Sequence, residues 1–200
     1  MKNFIYLASQ SPRRSQLLYQ IGVPHTLLLP APNEDAESLE LALRGESPLH
    51  YVNRVTARKL DAAVLRLKLR QLPLAPVLCS DTTVALGRNI LGKPADAKDA
   101  ERMLQALSGQ THRVLTAVAI QSGRKRLTTV SVSRVTFAAL SRAQIKAYAR
   151  SGEPMGKAGA YGVQGLAAAH ISAIEGSYSG IMGLPVHETA VLLRQVGVRC

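Results

Sequence analysis

The sequence predicts an α/β domain in which short apolar strands alternate with amphipathic helices. Apolar runs at 4–8 and 77–86 have the length and composition of buried strands. Ser11-Pro12 and Ser47-Pro48 each place a hydroxyl at a helix N-cap and a proline at the first helical position. With 200 residues, 46% of them hydrophobic, the chain can bury a good core, and we predict a single domain over residues 1–200.

No membrane or disulfide signal accompanies this pattern. No apolar run approaches the roughly 20 residues that cross a bilayer. The N-terminal apolar segment is followed too soon by Arg13 and Arg14 for a signal peptide. The two cysteines, Cys79 and Cys200, form neither a disulfide framework nor a metal-ligand spacing. We therefore expect a soluble, cytoplasmic protein with no membrane partner.

The chain is strongly basic, with a net charge of +12 and a pI near 10.2. Such a charge favours anionic partners, and a nucleic-acid-binding module is one alternative. Aromatic residues are only 4% of the chain, and they do not interleave with basic residues as in proteins that stack bases. A phosphate-rich small molecule fits at least as well. Much of the positive charge lies along one predicted helix, at Arg54, Arg58, Lys59, Arg66, Lys68 and Arg70.

The start of the first predicted helix has the features of an anion site. The strand at 4–8 leads to a helix from Pro12, with Gly22 at its left-handed end. Arg13 and Arg14 oppose the positive end of the helix dipole, which costs about 0.3 to 1 kcal/mol each when exposed. An anion on the free N–H groups would reverse that sign, and phosphate is the usual ligand there. The alternative is a solvated basic helix start.

Next come an acidic cluster and a long helix. Asn33-Glu34-Asp35 follows an extended run at 25–29. From the residues alone this cluster is a solvated loop or the charged N-terminus of a helix. An amphipathic helix then begins at Ser47-Pro48 and continues to Pro73. Lys59 lies at the edge of its apolar stripe and can extend inward.

The strand at 77–86 contains a carboxylate, Asp81. A buried carboxylate is costly without a partner, a metal or a shifted pKa, which makes Asp81 a functional candidate. The alternative is that the strand ends near Ser80 and Asp81 caps a turn. A hairpin tip at 87–89 leads back to Lys93, which is fixed between a glycine and a proline.

The C-terminal half predicts further core elements and a glycine-rich loop. Glycines at 156, 159, 162 and 165 permit close approach of the backbone to a ligand. The glycine spacing and Ala158 exclude a P-loop. The elements predicted are a helix from Asp96 to Ser108, strands at 113–121 and 126–137 with a bulge at Arg134, a helix capped by Ser141 and Gln144, a strand near 167–174 and a last helix after Pro185.

Six motifs in order resemble the Maf family of nucleotide pyrophosphatases, almost from end to end of the chain. They are Ser9-x-Ser11-Pro12-Arg13-Arg14, Ser80-Asp81-Thr82, Leu91-Gly92-Lys93-Pro94, Leu107-Ser108-Gly109-Gln110-Thr111-His112, Lys157-Ala158-Gly159-Ala160-Tyr161-Gly162-Val163-Gln164-Gly165, and Gly176-Ser177-Tyr178 through Gly183-Leu184-Pro185. The motif at 157–165 is similar to the dTTP/UTP pyrophosphatase branch. Gly156 and Cys79-Ser80 depart from the Asp and the Gly-Ala that are usual in the family.

The resemblance implies an α/β fold with a mixed, strongly twisted sheet, flanking helices and a cleft between two lobes. It implies hydrolysis of dTTP and UTP, or of modified pyrimidine nucleotides, to the monophosphate and pyrophosphate. It also implies a divalent cation, Mg or Mn, held by Asp81 and Glu34, with Asp81 as the base that activates water.

The same resemblance implies a set of substrate-binding residues: Ser9, Arg13, Arg14, Lys59, Thr82, Lys93, Lys157 and Gln164. Of these, Arg13, Thr82 and Gln164 bear on the choice of base. No obligatory nucleic acid is implied. A basic nucleic-acid-binding protein and a non-catalytic regulator of cell division are the alternatives. The sequence leaves the oligomeric state open, a homodimer included.

Overall fold

The computed structural model describes residues 4–32, 34–35 and 38–200. Within them the strands are β1 (Ile5–Leu7), β2 (His25–Leu27), β3 (Val77–Leu86), β4 (Asn89–Leu91), β5 (Thr111–Ser122), β6 (Lys125–Phe137) and β7 (Ile171–Glu175). The helices are α1 (Pro12–Gln20), α2 (Pro48–Leu69), α3 (Ala97–Leu107), α4 (Arg142–Arg150), α5 (Tyr178–Met182) and α6 (Val186–Gln195). Short 3-10 turns lie at Ser38–Glu40, Ala158–Ala160 and Leu166–His170.

The seven described strands form one mixed sheet in the order β2-β1-β3-β5-β6-β7, with β4 paired to β3. β1 pairs in parallel with both β2 and β3, whereas the remaining pairs are antiparallel. The α/β class is therefore confirmed, with helices flanking the sheet. In the central pair, Asp81 of β3 lies opposite Ala117 of β5, and Thr82 lies opposite Thr116. This register determines which side chains share a face of the sheet with Asp81.

The predicted helix starts are confirmed. α1 and α2 begin at Pro12 and Pro48, and the hydroxyl of Ser47 accepts a hydrogen bond from the backbone N–H of His50. Ser141 and Gln144 form the predicted capping box. Helix starts are predictable because N-cap hydroxyls and prolines act within a few residues.

Two predictions in the C-terminal half are wrong. β5 and β6 pair without a bulge at Arg134, and the irregularity lies against β7, between Thr136 and Phe137. The alternation of apolar residues changes phase in the sequence because the side chains of Ser131 and Ser133 are buried, whereas Val132 is 49% exposed. The strand expected near 167–174 begins only at Ile171, after a 3-10 turn.

Two large apolar clusters lie at opposite ends of β3. One includes Leu78 with side chains of β1, α1 and α6. The other includes Val84 and Phe137 with side chains of α3 and α4. Asp81 lies between these clusters on an unbroken strand, so the alternative that the strand ends near Ser80 is wrong. In the described part of the chain, no helix has both the length and the apolar character to cross a membrane.

Candidate active site

A cleft of about 420 Å³ opens beside the middle of β3. Its walls come from the β1–α1 loop, α2, β3, the segment after β4 and the loop before the second 3-10 turn. It brings together the nine predicted residues Ser9, Arg13, Arg14, Lys59, Asp81, Thr82, Lys93, Lys157 and Gln164. Glu34, the remaining predicted site residue, is not among the residues that line this cleft.

Arg14 is fixed by Ser9, five residues before it, and by two groups that are distant in sequence. Its Nη1 donates to Ser9 Oγ at 2.9 Å, its Nε to the Gly183 carbonyl at 2.8 Å, and its Nη2 to Thr82 Oγ1 at 3.4 Å. Arg13 Nε donates to the Met182 carbonyl at 3.3 Å. The alternative of a solvated basic helix start is therefore wrong. Burial lowers the pKa of Arg14, and the nearby carboxylate of Asp81 opposes that effect.

These arginines flank the free N–H groups at the start of α1. The Ser11 hydroxyl makes no capping bond to the helix, although Ser11 is its N-cap residue. Instead, the Ser11 backbone N–H donates to Ser9 Oγ at 3.2 Å. A helix N-terminus with two adjoining guanidinium groups is suited to bind phosphate oxygens.

Asp81 is 7% exposed and is paired with Lys59. The Lys59 Nζ lies 2.5 Å from Asp81 Oδ1 and 2.7 Å from Glu40 Oε1. The other carboxylate oxygen of Glu40 accepts from Lys93 Nζ at 2.7 Å. Burial by itself would raise the pKa of Glu40, but Lys59 and Lys93 outweigh it and hold that pKa below its usual value. An alternating chain of two cations and two carboxylates therefore lies along the cleft.

Glu34 lies in a different ion pair. Its carboxylate accepts from Arg66 Nε at 2.9 and 3.0 Å and from Arg66 Nη2 at 2.5 Å, and Arg70 lies 3.5 Å away. These hydrogen bonds hold the pKa of Glu34 at about 2. The structure thus corrects the expectation that Glu34 joins Asp81, because Arg66 binds the Glu34 carboxylate elsewhere. Asn33, the first residue of the predicted acidic cluster, lies outside the described residues.

One acidic residue, Glu153, holds the glycine-rich loop in place through hydrogen bonds. Its carboxylate accepts from Tyr148 Oη at 2.8 Å and from the Leu166 N–H at 2.8 Å, and its backbone carbonyl accepts from Lys157 Nζ. A Cβ on Gly165 would lie 2.4 Å from the Glu153 carboxylate, so a larger residue at this position would displace the side chain that holds the loop. Between these fixed points Gln164 is exposed to the cleft.

Sequence reasoning missed Glu40 and Glu153. Glu40 lies in a 3-10 turn where no spacing distinguishes it from the acidic residues before it. The buried Asp81 signalled that a cation must lie nearby, but the second carboxylate on that cation had no local signal. Glu153 precedes the glycine-rich motif, and its role depends on a contact with Leu166, 13 residues away.

The donor set suits a hard divalent cation. No group of three or more His, Cys, Asp or Glu side chains that could hold a metal ion occurs among the residues described. Asp81 and Glu40, however, both contact one Lys59 nitrogen, so their oxygens lie close together. Magnesium is usually bound by one or two carboxylates together with water and substrate phosphates. Asp81 and Glu40 fit that pattern, and Glu34 does not share it.

Comparison with known proteins agrees with the family resemblance of the six sequence motifs. A family model described as Maf-like protein matches residues 4–196. The dTTP/UTP pyrophosphatase of Polaromonas sp. (strain JS666 / ATCC BAA-500) is 66% identical over 197 residues, which are 98% of each chain. The dTTP/UTP pyrophosphatase of Albidiferax ferrireducens is 66% identical over 199 residues, covering all of both chains.

A solved structure, the Staphylococcus aureus Ham1 protein, overlaps 67% of this chain and 71% of its own. The TM-score is 0.44 and the identity is 12%.

Proposed function

This chain belongs to the Maf family, and on that premise we propose that it hydrolyses dTTP and UTP to the nucleoside monophosphate and pyrophosphate. The observation that carries the proposal is the convergence of nine predicted residues on one cleft around Asp81. The two 66% identical, full-length relatives that bear this activity in their names support the substrate class. We propose that residues 1–200 act as one domain, with the cleft between two lobes, one on each apolar cluster.

The triphosphate is proposed to bind at the start of α1. A nucleoside triphosphate carries about four negative charges, and fixed cations stabilise the charge that develops as the anhydride breaks. Arg13 and Arg14 adjoin the helix N-terminus, Lys93 lies in the segment after β4, and Lys157 lies on the glycine-rich loop. These charges would hold the β and γ phosphates together, so that pyrophosphate leaves as one unit.

Asp81 is proposed to act as the general base. Its carboxylate would take a proton from a water molecule, whose oxygen attacks the α phosphorus while the bond from that phosphorus to the bridging oxygen breaks. The electron pair of that bond leaves with pyrophosphate. The Lys59 Nζ lies 2.5 Å from Asp81 Oδ1, and this contact holds the carboxylate in one orientation.

A divalent cation, Mg or Mn, is proposed to be held by Asp81 and Glu40. Such a cation supplies charge neutralisation of the phosphate oxygens. Lys59 bridges the two carboxylates through its ammonium group. Glu40 therefore replaces Glu34 as the proposed partner of Asp81.

The basic charge of α2 gives no separate support to a nucleic-acid-binding function. Arg54 pairs with Glu46 at 2.6 Å, Lys59 pairs with Asp81, and Arg66 pairs with Glu34. Arg70 also lies 3.5 Å from Glu34, so four of the six basic residues predicted along this helix pair with carboxylates within the described part of the chain and do not form a free cationic face.

Product analysis with an Asp81→Asn variant tests the proposal. The parent protein should release pyrophosphate from dTTP and UTP with magnesium or manganese, and ATP and GTP should be poor substrates. Asp81→Asn should lower turnover by at least about 100-fold, because it removes a general base while keeping the shape of the side chain. Asp61→Asn is the matched control, since Asp61 is an exposed α2 residue paired with Arg126.

Three results would contradict the proposal. Orthophosphate as the first product would exclude cleavage between the α and β phosphates. Equal turnover of purine and pyrimidine triphosphates would exclude the base selection. Turnover near the parent level in a folded Asp81→Asn protein would exclude Asp81 as the base.

A further inference from the structure

A buried histidine, His112 of β5, contacts the glycine-rich loop. It is 2% exposed, and its Nε2 lies 2.8 Å from Tyr161 Oη. Tyr161 lines the cleft and lies between Lys157 and Gln164 in the chain, whereas His112 is not among the residues that line the cleft. One side chain therefore connects His112 to the loop that carries two of the proposed substrate-binding residues.

The surroundings of His112 are largely apolar. Its ring packs edge to face against Phe137 and Tyr161, with ring centroids 5.4 Å away in both cases. Burial lowers the pKa of His112 to about 4, so the ring is neutral at pH 7 and only one of its nitrogens carries a proton. Its Nδ1 has no hydrogen-bond partner among the residues described. A buried polar atom without a partner is destabilising, and an apolar residue at this position would not carry that cost.

The backbone of the loop needs support at this point. Gly159 and Ala160, the two residues before Tyr161, have positive φ angles of 68° and 60°. An alanine seldom adopts this left-handed conformation, because its Cβ then comes too close to the following carbonyl oxygen. Such a conformation persists only where neighbouring contacts hold it. The Gly159 N–H donates to the Gly92 carbonyl at 3.0 Å, and the hydroxyl of Tyr161 is the next point at which the loop is tied to the sheet.

We propose that His112 is a positioning residue: through its hydrogen bond to Tyr161 it holds the glycine-rich loop in the conformation that binds the nucleotide. Apolar contacts keep the tyrosine ring in the core, but they are not directional, whereas a hydrogen bond restricts the phenol to one position. The inference rests on the proposed function, in which Lys157 and Gln164 bind the substrate. The unpaired Nδ1 of His112 is then a cost in stability that accompanies this role.

The test measures kcat, KM for UTP and the free energy of unfolding in a set of variants. His112→Leu removes the hydrogen bond at similar volume, and KM should rise by about fivefold, the effect of losing one hydrogen bond. The change in kcat should be smaller, because a loop that binds substrate less well mainly raises KM. His112→Gln can still form a hydrogen bond with the tyrosine and should keep KM within about twofold of the parent's.

A double variant separates positioning from stability. His112→Leu combined with Tyr161→Phe removes both polar partners, so neither is left unpaired and the stability should equal or exceed that of the parent. If His112 positions the loop, KM stays raised by about fivefold in this stable protein. Thr189→Val is the matched control, because it removes another buried polar group that lacks a partner in the described part of the chain. Thr189 lies on α6, outside the residues that line the cleft, and its substitution should leave KM unchanged.

The outcomes are distinct. A double variant with the parent's KM would overturn the inference, because His112 would then serve stability alone. A lower apparent kcat at unchanged KM in His112→Leu would do the same, since it reports a smaller folded fraction, and so would an equal rise in KM in Thr189→Val. If His112→Leu does not fold, the double variant decides, and failure of both to fold would show a structural role and overturn the inference. A parent protein that hydrolyses no pyrimidine triphosphate would instead overturn the proposed function, and that result is seen before any variant is made.

Discussion

Replacing Glu34 with Gln should reduce the stability of the fold in a pH-dependent way. Glu34 carries the negative charge opposite Arg66, a residue that is only 7% exposed and that also donates to the Leu28 carbonyl at 3.1 Å. Glutamine keeps the shape and an acceptor oxygen but removes the charge. The substitution leaves a largely buried guanidinium with a weaker partner, which is destabilising.

The magnitude follows from the pKa of Glu34. A fall from 4.5 to about 2, caused first by the hydrogen bonds from Arg66, corresponds to roughly 3 kcal/mol of interaction between the folded protein and the charged form. The Glu34 side chain is 34% exposed, so solvent screens part of this interaction. We expect a loss of about 1 to 2 kcal/mol at neutral pH.

The sign of the pH dependence is fixed by the lowered pKa. A carboxylate whose pKa is depressed by folding stabilises the protein fully above its unfolded pKa, and that contribution is lost as the pH falls through the folded pKa. For Glu34 the window runs from about 4.5 down to about 2. The difference in stability between the parent and Glu34→Gln should therefore be largest at pH 7 and should narrow below pH 4.5.

Urea unfolding at pH 7 and pH 3.5, followed by circular dichroism, measures this difference directly. Glu175→Gln is the control, because both side chains of the Glu175–Arg134 pair are exposed. This substitution should lower the free energy of unfolding by less than about 0.5 kcal/mol. A Glu34→Gln protein as stable as the parent at pH 7, or a difference that does not change with pH, would refute the reasoning.

Three further substitutions probe the cleft. Glu40→Gln should lower turnover more than Glu34→Gln does, because only Glu40 lies in the cleft beside the proposed base, and equal losses in steady-state assays would contradict this. Gly165→Ala should lower kcat/KM for UTP by about tenfold or more, since the added Cβ would meet the Glu153 carboxylate at 2.4 Å and displace the loop. Unchanged kinetics would mean that the loop adapts. Arg14→Lys should raise KM for dTTP severalfold, because an ammonium group cannot reproduce three bonds in a fork; a KM equal to the parent's would argue against phosphate binding there.

Features that depend on neighbours in sequence were predictable. The N-caps at Ser47 and Ser141, the hairpin after β3 and the strand that carries Asp81 all follow from local hydrogen bonding and periodicity. The wrong prediction of a bulge at Arg134 also has a physical cause. Hydroxyl side chains can face inward where a neighbouring element supplies hydrogen-bond partners, as the Ser177 carbonyl before α5 does for Ser133. The pattern of apolar residues alone does not show such partners.

Contacts between distant segments were not predictable. Glu40 and Glu34 lie in the same polar segment, and either could have been the neighbour of Lys59. Glu40 is that neighbour because Glu34 is bound by Arg66. One sequence without its fold carries no signal for that choice.

The bonds from Arg13 and Arg14 to the carbonyls of Met182 and Gly183 span 169 residues each. During synthesis the acceptor carbonyls are made 169 residues after the arginines. A nascent chain therefore contains the complete Ser9–Arg14 motif long before these two carbonyls are present. Catalytic competence should accordingly arise only when the chain through α5 has left the ribosome, and a protein truncated before α5 should retain the motif but not the site.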